Sequence, residues 1–169
     1  MQNIINVIRI GDIKTFFFLN KTIKNPITDR LMPLITVIGS AVCSIILTII
    51  TFLVGTQWKQ IGIQLGVSHL ISHFIVQLGK RFLRRPRPYQ SLPGVLTCSK
   101  LCKDASFPSG HSTASFCTAT VLANAFPSFL FVFYLAASIV AISRIYLGMH
   151  YPSDVIVGAA LGVITAFFV

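Results

Sequence analysis

The sequence has few charged residues, and acidic residues are almost absent. Charged side chains make up 11% of the 169 residues, and only four of them are acidic. A soluble domain carries about a quarter charged residues. The hydrophobic fraction is 54% and the mean hydropathy is +0.78. This composition excludes an ordinary soluble domain and indicates a membrane protein.

Cysteine is also scarce, and its spacing excludes a zinc-binding framework. The four cysteines contain no C-x-x-C pair and form no cluster with histidine. Cys43 and Cys117 lie in apolar runs, where we expect them to be packing residues. Cys98 and Cys102 share a polar loop and could pair on an oxidising face of the membrane.

Residues 1–30 contain no apolar run of spanning length, because charged residues interrupt them throughout. They do not resemble a cleaved signal peptide. The stretch IKTFFFLNKTI at 13–23 predicts an amphipathic interfacial segment, with its aromatic residues at the acyl boundary and its lysines among the headgroups.

Five apolar segments follow, and they predict an all-α membrane bundle of five transmembrane helices. They cover about residues 31–54, 61–79, 109–125, 127–143 and 153–169. The first is uncharged and long enough to cross roughly 30 Å of hydrocarbon. Pro86, Pro88 and Pro127 mark breaks between segments, because proline cannot continue a helix. We therefore predict one membrane domain over 31–169, preceded by the interfacial segment.

The charge that is present is mostly positive. Fourteen lysines and arginines against four acids give a net charge of +10. Without a polar domain to carry a basic surface, we expect no nucleic-acid partner, and the bilayer or a phosphorylated substrate fits better. With five crossings, 13 of the 14 cations fall on one face, and Lys59 alone lies opposite.

The first of three polar clusters on that face is KRFLRRPRPY, residues 80–89. It carries five cations: Lys80, Arg81, Arg84, Arg85 and Arg87. Such a run could anchor a helix at the membrane surface, grip anionic lipid or form part of a phosphate site.

The second cluster is FPSGHS, residues 107–112. Pro108 and Ser109 are a helix-start signal, and Gly110 lets a backbone approach a ligand closely. The free N–H groups of a helix start, with the helix dipole, form an anion site at which His111 would be aimed. A plain N-cap followed by an incidental histidine is the alternative.

The third cluster is SRIYLGMHYPSD, residues 143–154. Arg144 can fork onto two phosphate oxygens. His150 and Asp154 are four residues apart, so at a helix start the carboxylate can reach the imidazole and fix its tautomer. An ordinary histidine–aspartate contact in a surface loop is the alternative, although a carboxylate opening an apolar helix needs some partner.

Together the clusters supply what phosphoryl transfer through a phosphohistidine needs. One histidine attacks, the other protonates the leaving oxygen, and fixed cations neutralise the equatorial oxygens. The four acids are Asp12, Asp29, Asp104 and Asp154. They form no sequence cluster that would hold Mg²⁺, so we expect the cations to replace a metal, with no cofactor.

The three blocks resemble the signature of the type-2 phosphatidic acid phosphatase family, K-x6-R-P, P-S-G-H and S-R-x5-H-x3-D, without a mismatch. The resemblance covers about residues 30–169. It implies a phosphatase acting on a lipid such as undecaprenyl pyrophosphate, phosphatidylglycerophosphate or phosphatidic acid. It implies His150 as nucleophile, Asp154 as its orienter and His111 as general acid. It assigns the phosphate pocket to Lys80, Arg87, Ser109, Gly110 and Arg144.

Other polar residues receive no catalytic role from the resemblance. Arg81, Arg84 and Arg85 fall at its variable positions, and we expect them to anchor the helix at the headgroups. For His69 and His73 we expect interhelical hydrogen bonds and no metal.

Two other classes of protein are alternatives to the phosphatase. A small transporter or anionic-lipid-binding membrane protein would also explain a basic face. A vanadium-dependent haloperoxidase shares the pocket of the family, but such enzymes are large and soluble, which the membrane composition argues against. The positive-inside rule places the cationic face in the cytoplasm. The resemblance implies the opposite, and we predict a bacterial cytoplasmic membrane with the site on the extracytoplasmic face.

Overall fold

All regular secondary structure in the described part of the chain is helical. A computed structural model describes residues 2–97 and 101–169, with side chains from residue 9 onward, and no strand occurs among these residues. The helices are α1 Gln2–Phe17, α2 Pro26–Ile38, α3 Ala41–Leu53, α4 Thr56–Leu83, α5 Pro88–Ser91, α6 Gly110–Ala125, α7 Leu130–Tyr146 and α8 Pro152–Phe167. The predicted all-α class is therefore confirmed.

Among the described residues, two stretches are long and apolar enough to cross a membrane, Thr56–Ser91 and Pro127–Tyr146. A third crossing is formed if α2 and α3 count as one bent span. Helices α6 and α8 have 16 residues each, about 24 Å at 1.5 Å per residue. All five predicted segments are helical, but their count as crossings stays a prediction.

The first predicted segment, residues 31–54, is not one straight helix. The chain bends by 49° between α2 and α3, and Ser40 caps the second helix by accepting a hydrogen bond from Cys43 N at 3.3 Å. A Cβ at Gly39 would lie 2.6 Å from both Ser115 Oγ and Val140 Cγ1. The glycine thus lets the bend pack directly against α6 and α7.

Helix α6 is the centre of the bundle and packs against α4, α7 and α8. Cys117 and Val121 are buried there with Leu65 of α4 and Ala166 of α8, which confirms the packing role predicted for Cys117. A Cβ at Gly158 would lie 2.6 Å from Ser109 O. This close approach brings the start of α8 against the start of α6.

Of the two cysteines in the polar loop, Cys102 lies among the described residues. Cys102 is a free cysteine. Cys98 is not among the described residues, so the predicted pairing lies outside them.

The N-terminal segment packs into the bundle more deeply than an interfacial helix would. Phe16 is fully buried with Ala141, Ile145 and Val155. The Asn20 side-chain amide donates to Leu96 O at 2.7 Å and to Tyr146 O at 2.8 Å. The aromatic face of this segment therefore contacts protein at least as much as it faces lipid.

Candidate active site

Local helix signals bring the three polar clusters to one end of the bundle. Helix α4 ends at Leu83, two residues before Arg85-Pro86, and α5 begins with Pro88. Helix α6 begins at Gly110, and the loop between α7 and α8 carries His150. The predicted site residues that meet there are Lys80, Arg87, Ser109, Gly110, His111, Arg144, His150 and Asp154.

Arg87 organises the middle of the site. Its side chain is 2% exposed, and its Nη1 donates to Met149 O at 3.0 Å and to His150 Nε2 at 3.2 Å. Its Nη2 donates to Asp104 Oδ1 at 2.8 Å, and its Nε to Asp104 O at 2.9 Å. The fork geometry of a guanidinium makes all four contacts possible at once.

The contact with Arg87 determines the tautomer of His150. Arginine can only donate, so Nε2 must carry a lone pair and the proton of the neutral ring must sit on Nδ1. Nδ1 lies 3.7 Å from Asp154 Oδ2, too long for a direct hydrogen bond, and has no other partner in the described part of the chain. The ring therefore has its unprotonated nitrogen, Nε2, beside Arg87 and its protonated nitrogen, Nδ1, on the side of the Asp154 carboxylate.

Burial keeps His150 neutral. Loss of water around the imidazole lowers the pKa of His150 to about 4, and the charges of Arg144 and Arg87 act in the same direction. The neighbouring Asp154 carboxylate opposes this shift without cancelling it. At neutral pH the imidazole has the lone pair that attack on phosphorus requires.

Asp154 is fully buried, with contacts on both carboxylate oxygens. Tyr151 N donates to Oδ2 at 2.9 Å, and Arg85 Nη1 donates to Oδ1 at 2.7 Å. These contacts fix the carboxylate with Oδ2 on the side of His150.

The structure overturns the headgroup-anchor role expected for Arg85. Its guanidinium also donates to Asp12 Oδ2 at 2.8 Å and lies 3.9 Å from the ring centroid of Tyr151. The predicted anchors Arg81 and Arg84, by contrast, are exposed. One feature of the sequence indicated that Asp154 has a cationic or hydrogen-bonding partner, because a carboxylate that opens an apolar helix needs one.

Asp104, which received no role in the sequence analysis, also contacts the site. Its carboxylate bridges the Lys80 ammonium and the Arg87 guanidinium. Burial alone would raise the pKa of Asp104, but Lys80 and then Arg87 outweigh burial and lower it to about 2. A permanent carboxylate thus pairs with two cations of the predicted phosphate pocket.

We expect Asp104→Asn to tighten binding of inorganic phosphate. Phosphate must compete with this carboxylate for Lys80 and Arg87, and a partly exposed pair of this kind is worth up to about 1 kcal/mol, or about fivefold in affinity. Titration of purified protein with phosphate should give a dissociation constant about two- to fivefold lower. Asp29→Asn changes net charge equally and is the matched control. An unchanged constant in Asp104→Asn would mean that the carboxylate does not compete.

The start of α6 has the predicted cap but fewer free amides than expected. Ser109 Oγ accepts from Ser112 N at 3.4 Å, while Ser109 N donates to Asp154 O at 3.0 Å. The amides of Gly110 and His111 follow in the first turn of the helix. They are the ones placed to meet an anion.

Arg144 supplies a buried charge from the end of α7. Its Nη1 donates to Thr36 Oγ1 of α2 at 2.7 Å. Its Nε is buried and has no hydrogen-bond partner among the described residues. A buried donor without a partner is costly, and an anion bound beside the guanidinium would satisfy it.

A cavity of about 500 Å³ continues from this site between α3, α4 and α6. Lys80, Gly110 and His111 line its polar end, and apolar side chains such as Ile45, Ile49 and Leu70 line the rest. His69 lies along it and contacts Thr118 Oγ1 of α6 at 3.0 Å, as predicted for an interhelical hydrogen bond. His73 instead contacts Gln77 on its own helix at 3.3 Å.

Fold and site together define a helical membrane protein with a buried histidine surrounded by arginines at one end of the bundle. The chain belongs to the PAP2 superfamily, which it matches over residues 61–169. It is an integral membrane protein by this membership and by its apolar helices.

Individual relatives support the same placement. Decaprenylphosphoryl-5-phosphoribose phosphatase of Mycobacterium tuberculosis (strain ATCC 25618 / H37Rv) is 39% identical over 97 residues, covering 57% of this chain and 52% of the relative. Undecaprenyl-diphosphatase of Sulfolobus acidocaldarius is 30% identical over 111 residues, covering 65% and 54%. The chain thus spans about half the length of these curated relatives.

A solved structure matches along nearly the whole chain. The crystal structure of Aquifex aeolicus LpxE superimposes with a TM-score of 0.84 at 28% identity, covering 92% of both chains. Unlike the family match, which begins at residue 61, this similarity also takes in much of the N-terminal part.

Proposed function

We propose that this protein is a metal-independent phosphatase that hydrolyses a membrane lipid phosphate or pyrophosphate through a phosphohistidine. The observation that carries the proposal is the state of His150. It is buried and neutral, with Nε2 beside Arg87 and Nδ1 facing Asp154. That is the arrangement of an activated nitrogen nucleophile.

In the first step we assign attack on phosphorus to His150 Nε2. The Nε2–P bond forms as the bond from phosphorus to the leaving oxygen breaks, and the electron pair leaves with that oxygen. Asp154 stabilises the positive charge that develops on the imidazole. His111 gives its proton to the leaving oxygen.

In the second step water attacks phosphorus and the Nε2–P bond breaks. His111, now neutral, accepts the proton from water, and phosphate leaves with the nitrogen restored. His111 lies among the charges of Lys80, Arg87 and Arg144, so its protonated form needs the substrate's negative charge beside it.

The phosphate oxygens are assigned to the cations and to the start of α6. The equatorial oxygens are neutralised by three cations, Lys80, Arg87 and Arg144. The backbone amides of Gly110 and His111 bind the same oxygens, and the Ser109 cap orders the turn that carries them. The apolar part of the cavity suits a lipid tail.

The membrane arrangement follows from the same assignment. We place the protein in a bacterial cytoplasmic membrane with five crossings over residues 31–169, after an N-terminal segment over 1–30. The active site faces outward. Lys59→Cys and Lys103→Cys can each be made in a background without the native cysteines and treated in intact cells with a membrane-impermeant thiol reagent. Only Lys103→Cys should be labelled; labelling of Lys59→Cys alone would place the site in the cytoplasm.

Phosphate release by purified protein tests the function directly. Phosphatidic acid, phosphatidylglycerophosphate and undecaprenyl pyrophosphate should be compared with EDTA present throughout. Release from at least one lipid, undiminished by EDTA, is the expected result. Binding of anionic lipid without release from any of them would instead support a non-enzymatic lipid-binding protein, the alternative that the basic face leaves open.

We expect His111→Ala to damage monoester hydrolysis more than pyrophosphate hydrolysis. An alkoxide is a poor leaving group and needs a proton, whereas the phosphate that leaves from a pyrophosphate is already a stable anion. Proton donation contributes about 10²- to 10⁴-fold and matters most for the worst leaving group. Values of kcat and KM for one substrate of each type provide the measurement.

The affinity of the His111→Ala variant is the internal control. The cations and the α6 amides remain, so KM should change much less than kcat. Equal losses on both substrates, or a loss confined to KM, would make His111 a binding residue instead of the acid.

A further inference from the structure

Arg85 connects the Asp154 carboxylate to a second buried acid, Asp12 of the N-terminal helix. Its Nη1 donates to Asp154 Oδ1 and to Ser153 Oγ, each at 2.7 Å, and its Nη2 donates to Asp12 Oδ2 at 2.8 Å. Ser153 N donates to Asp12 Oδ1 at 2.8 Å. Asp12 thus reaches the first turn of α8, where Asp154 sits.

The arrangement fixes the direction of the Asp154 carboxylate. Arg85 holds Oδ1 and Tyr151 N holds Oδ2, so the group cannot rotate without losing a buried, charge-assisted hydrogen bond. Arg85 is itself held on its other side by Asp12 and by the ring of Tyr151. Oδ2 then lies 3.7 Å from His150 Nδ1.

Asp12 also adjusts the charge that His150 experiences. Arg85 paired with Asp154 alone would neutralise the carboxylate that must stabilise a developing imidazolium. With Asp12 present, the three groups together carry one negative charge. The second acid therefore lets Arg85 orient Asp154 without cancelling its charge.

We propose that Arg85 and Asp12 are positioning residues that act on the reaction through Asp154, and this rests on the function proposed above. Asp12 lies outside residues 61–169, the part that matches the superfamily. The N-terminal helix is then part of the catalytic apparatus as well as of the packing.

A double-mutant cycle with Asp154 separates positioning from simple stabilisation. Arg85→Gln, Asp154→Asn and the double variant should be compared on phosphatidic acid, with kcat, KM and thermal unfolding measured for each. Arg85→Gln should lower kcat about 10- to 100-fold, as loss of a group that orients a site residue typically does, with KM changed about threefold or less. In the Asp154→Asn background, Arg85→Gln should lower kcat by about twofold or less, because the carboxylate that Arg85 orients is already lost.

Conservative variants and a neighbouring cation complete the design. Arg85→Lys keeps the charge and should recover part of kcat, Asp12→Asn should lower kcat by less than Arg85→Gln, and the exposed Arg81→Gln should retain full activity. Should Arg85→Gln not fold, Asp12→Asn in the same cycle with Asp154→Asn gives the equivalent test. Losses that multiply in the double variant, or a kcat in Arg85→Gln equal to that of wild type, would overturn the proposal.

Failure of the positioning proposal can be distinguished from failure of the proposed function. Failure of that function would appear as no phosphate release from wild type, or as release that persists in His150→Ala. Failure of the positioning proposal would appear only in the Arg85 and Asp12 variants of an active enzyme.

Discussion

His150→Ala is expected to abolish phosphate release from every lipid substrate. The other described histidines cannot replace it, because His69 and His73 lie along α4 and His111 is assigned to the leaving group. Removing the nucleophile of a covalent mechanism costs about 10⁶-fold in kcat, as triad enzymes illustrate. No turnover above background should therefore remain.

The covalent intermediate provides the decisive measurement. Wild-type protein quenched during turnover with ³²P-labelled substrate should retain acid-labile, base-stable label on histidine, and His150→Ala should retain none. Lys59→Ala, altered at the opposite end of the bundle, should label like wild type and serves as the handling control. Substantial turnover by His150→Ala, with an unchanged melting temperature, would remove the phosphohistidine mechanism.

Arg87→Ala is expected to cause the second largest loss. The side chain is 2% exposed and contacts His150, the proposed nucleophile, as well as a backbone carbonyl and Asp104. Removing one donor aimed at transition-state charge costs about 10²- to 10³-fold. Leaving Asp104 without its guanidinium adds a further cost, so we expect kcat/KM to fall by at least about 10³-fold.

Arg87→Lys and Arg84→Ala indicate which property of Arg87 matters. Arg87→Lys keeps the charge but cannot make the forked contacts, so it should remain well below wild type. Arg84→Ala removes an exposed cation from the same stretch and should cost little, since a headgroup contact is worth about 1 kcal/mol. Equal losses in Arg84→Ala and Arg87→Ala would contradict the division between pocket and surface cations.

The parts of the site that could be predicted from the sequence are those encoded locally. Helix-start signals at Ser109, and four-residue spacing between His150 and Asp154, determine which side chains share a turn. If successive segments run antiparallel, all three polar clusters fall on the same face of the bundle. The residues assigned from the three blocks therefore lie at one end of the bundle, and their roles stay predictions.

The parts that were missed depend on contacts between distant segments. Arg85 and Asp12 are 73 residues apart, and Asp104 reaches Lys80 across 24; no periodicity links such pairs. The bend at Gly39 was missed for a related reason. Hydropathy measures the average polarity of residues 31–54, whereas the break depends on how closely one backbone position packs against α6 and α7.

The cavity between α3 and α4 has a consequence for kinetics. Its apolar walls include the exposed side chains of Ile45, Ile49 and Leu70, so it opens on the surface that faces acyl chains. Under the proposed function, a lipid would reach His111 and Lys80 by lateral diffusion, with its tail never entering water. The rate would then depend on the mole fraction of substrate in the bilayer or micelle. Adding inert detergent at constant total substrate should therefore slow the reaction, because it lowers the mole fraction of substrate in the micelle while the bulk substrate concentration stays the same.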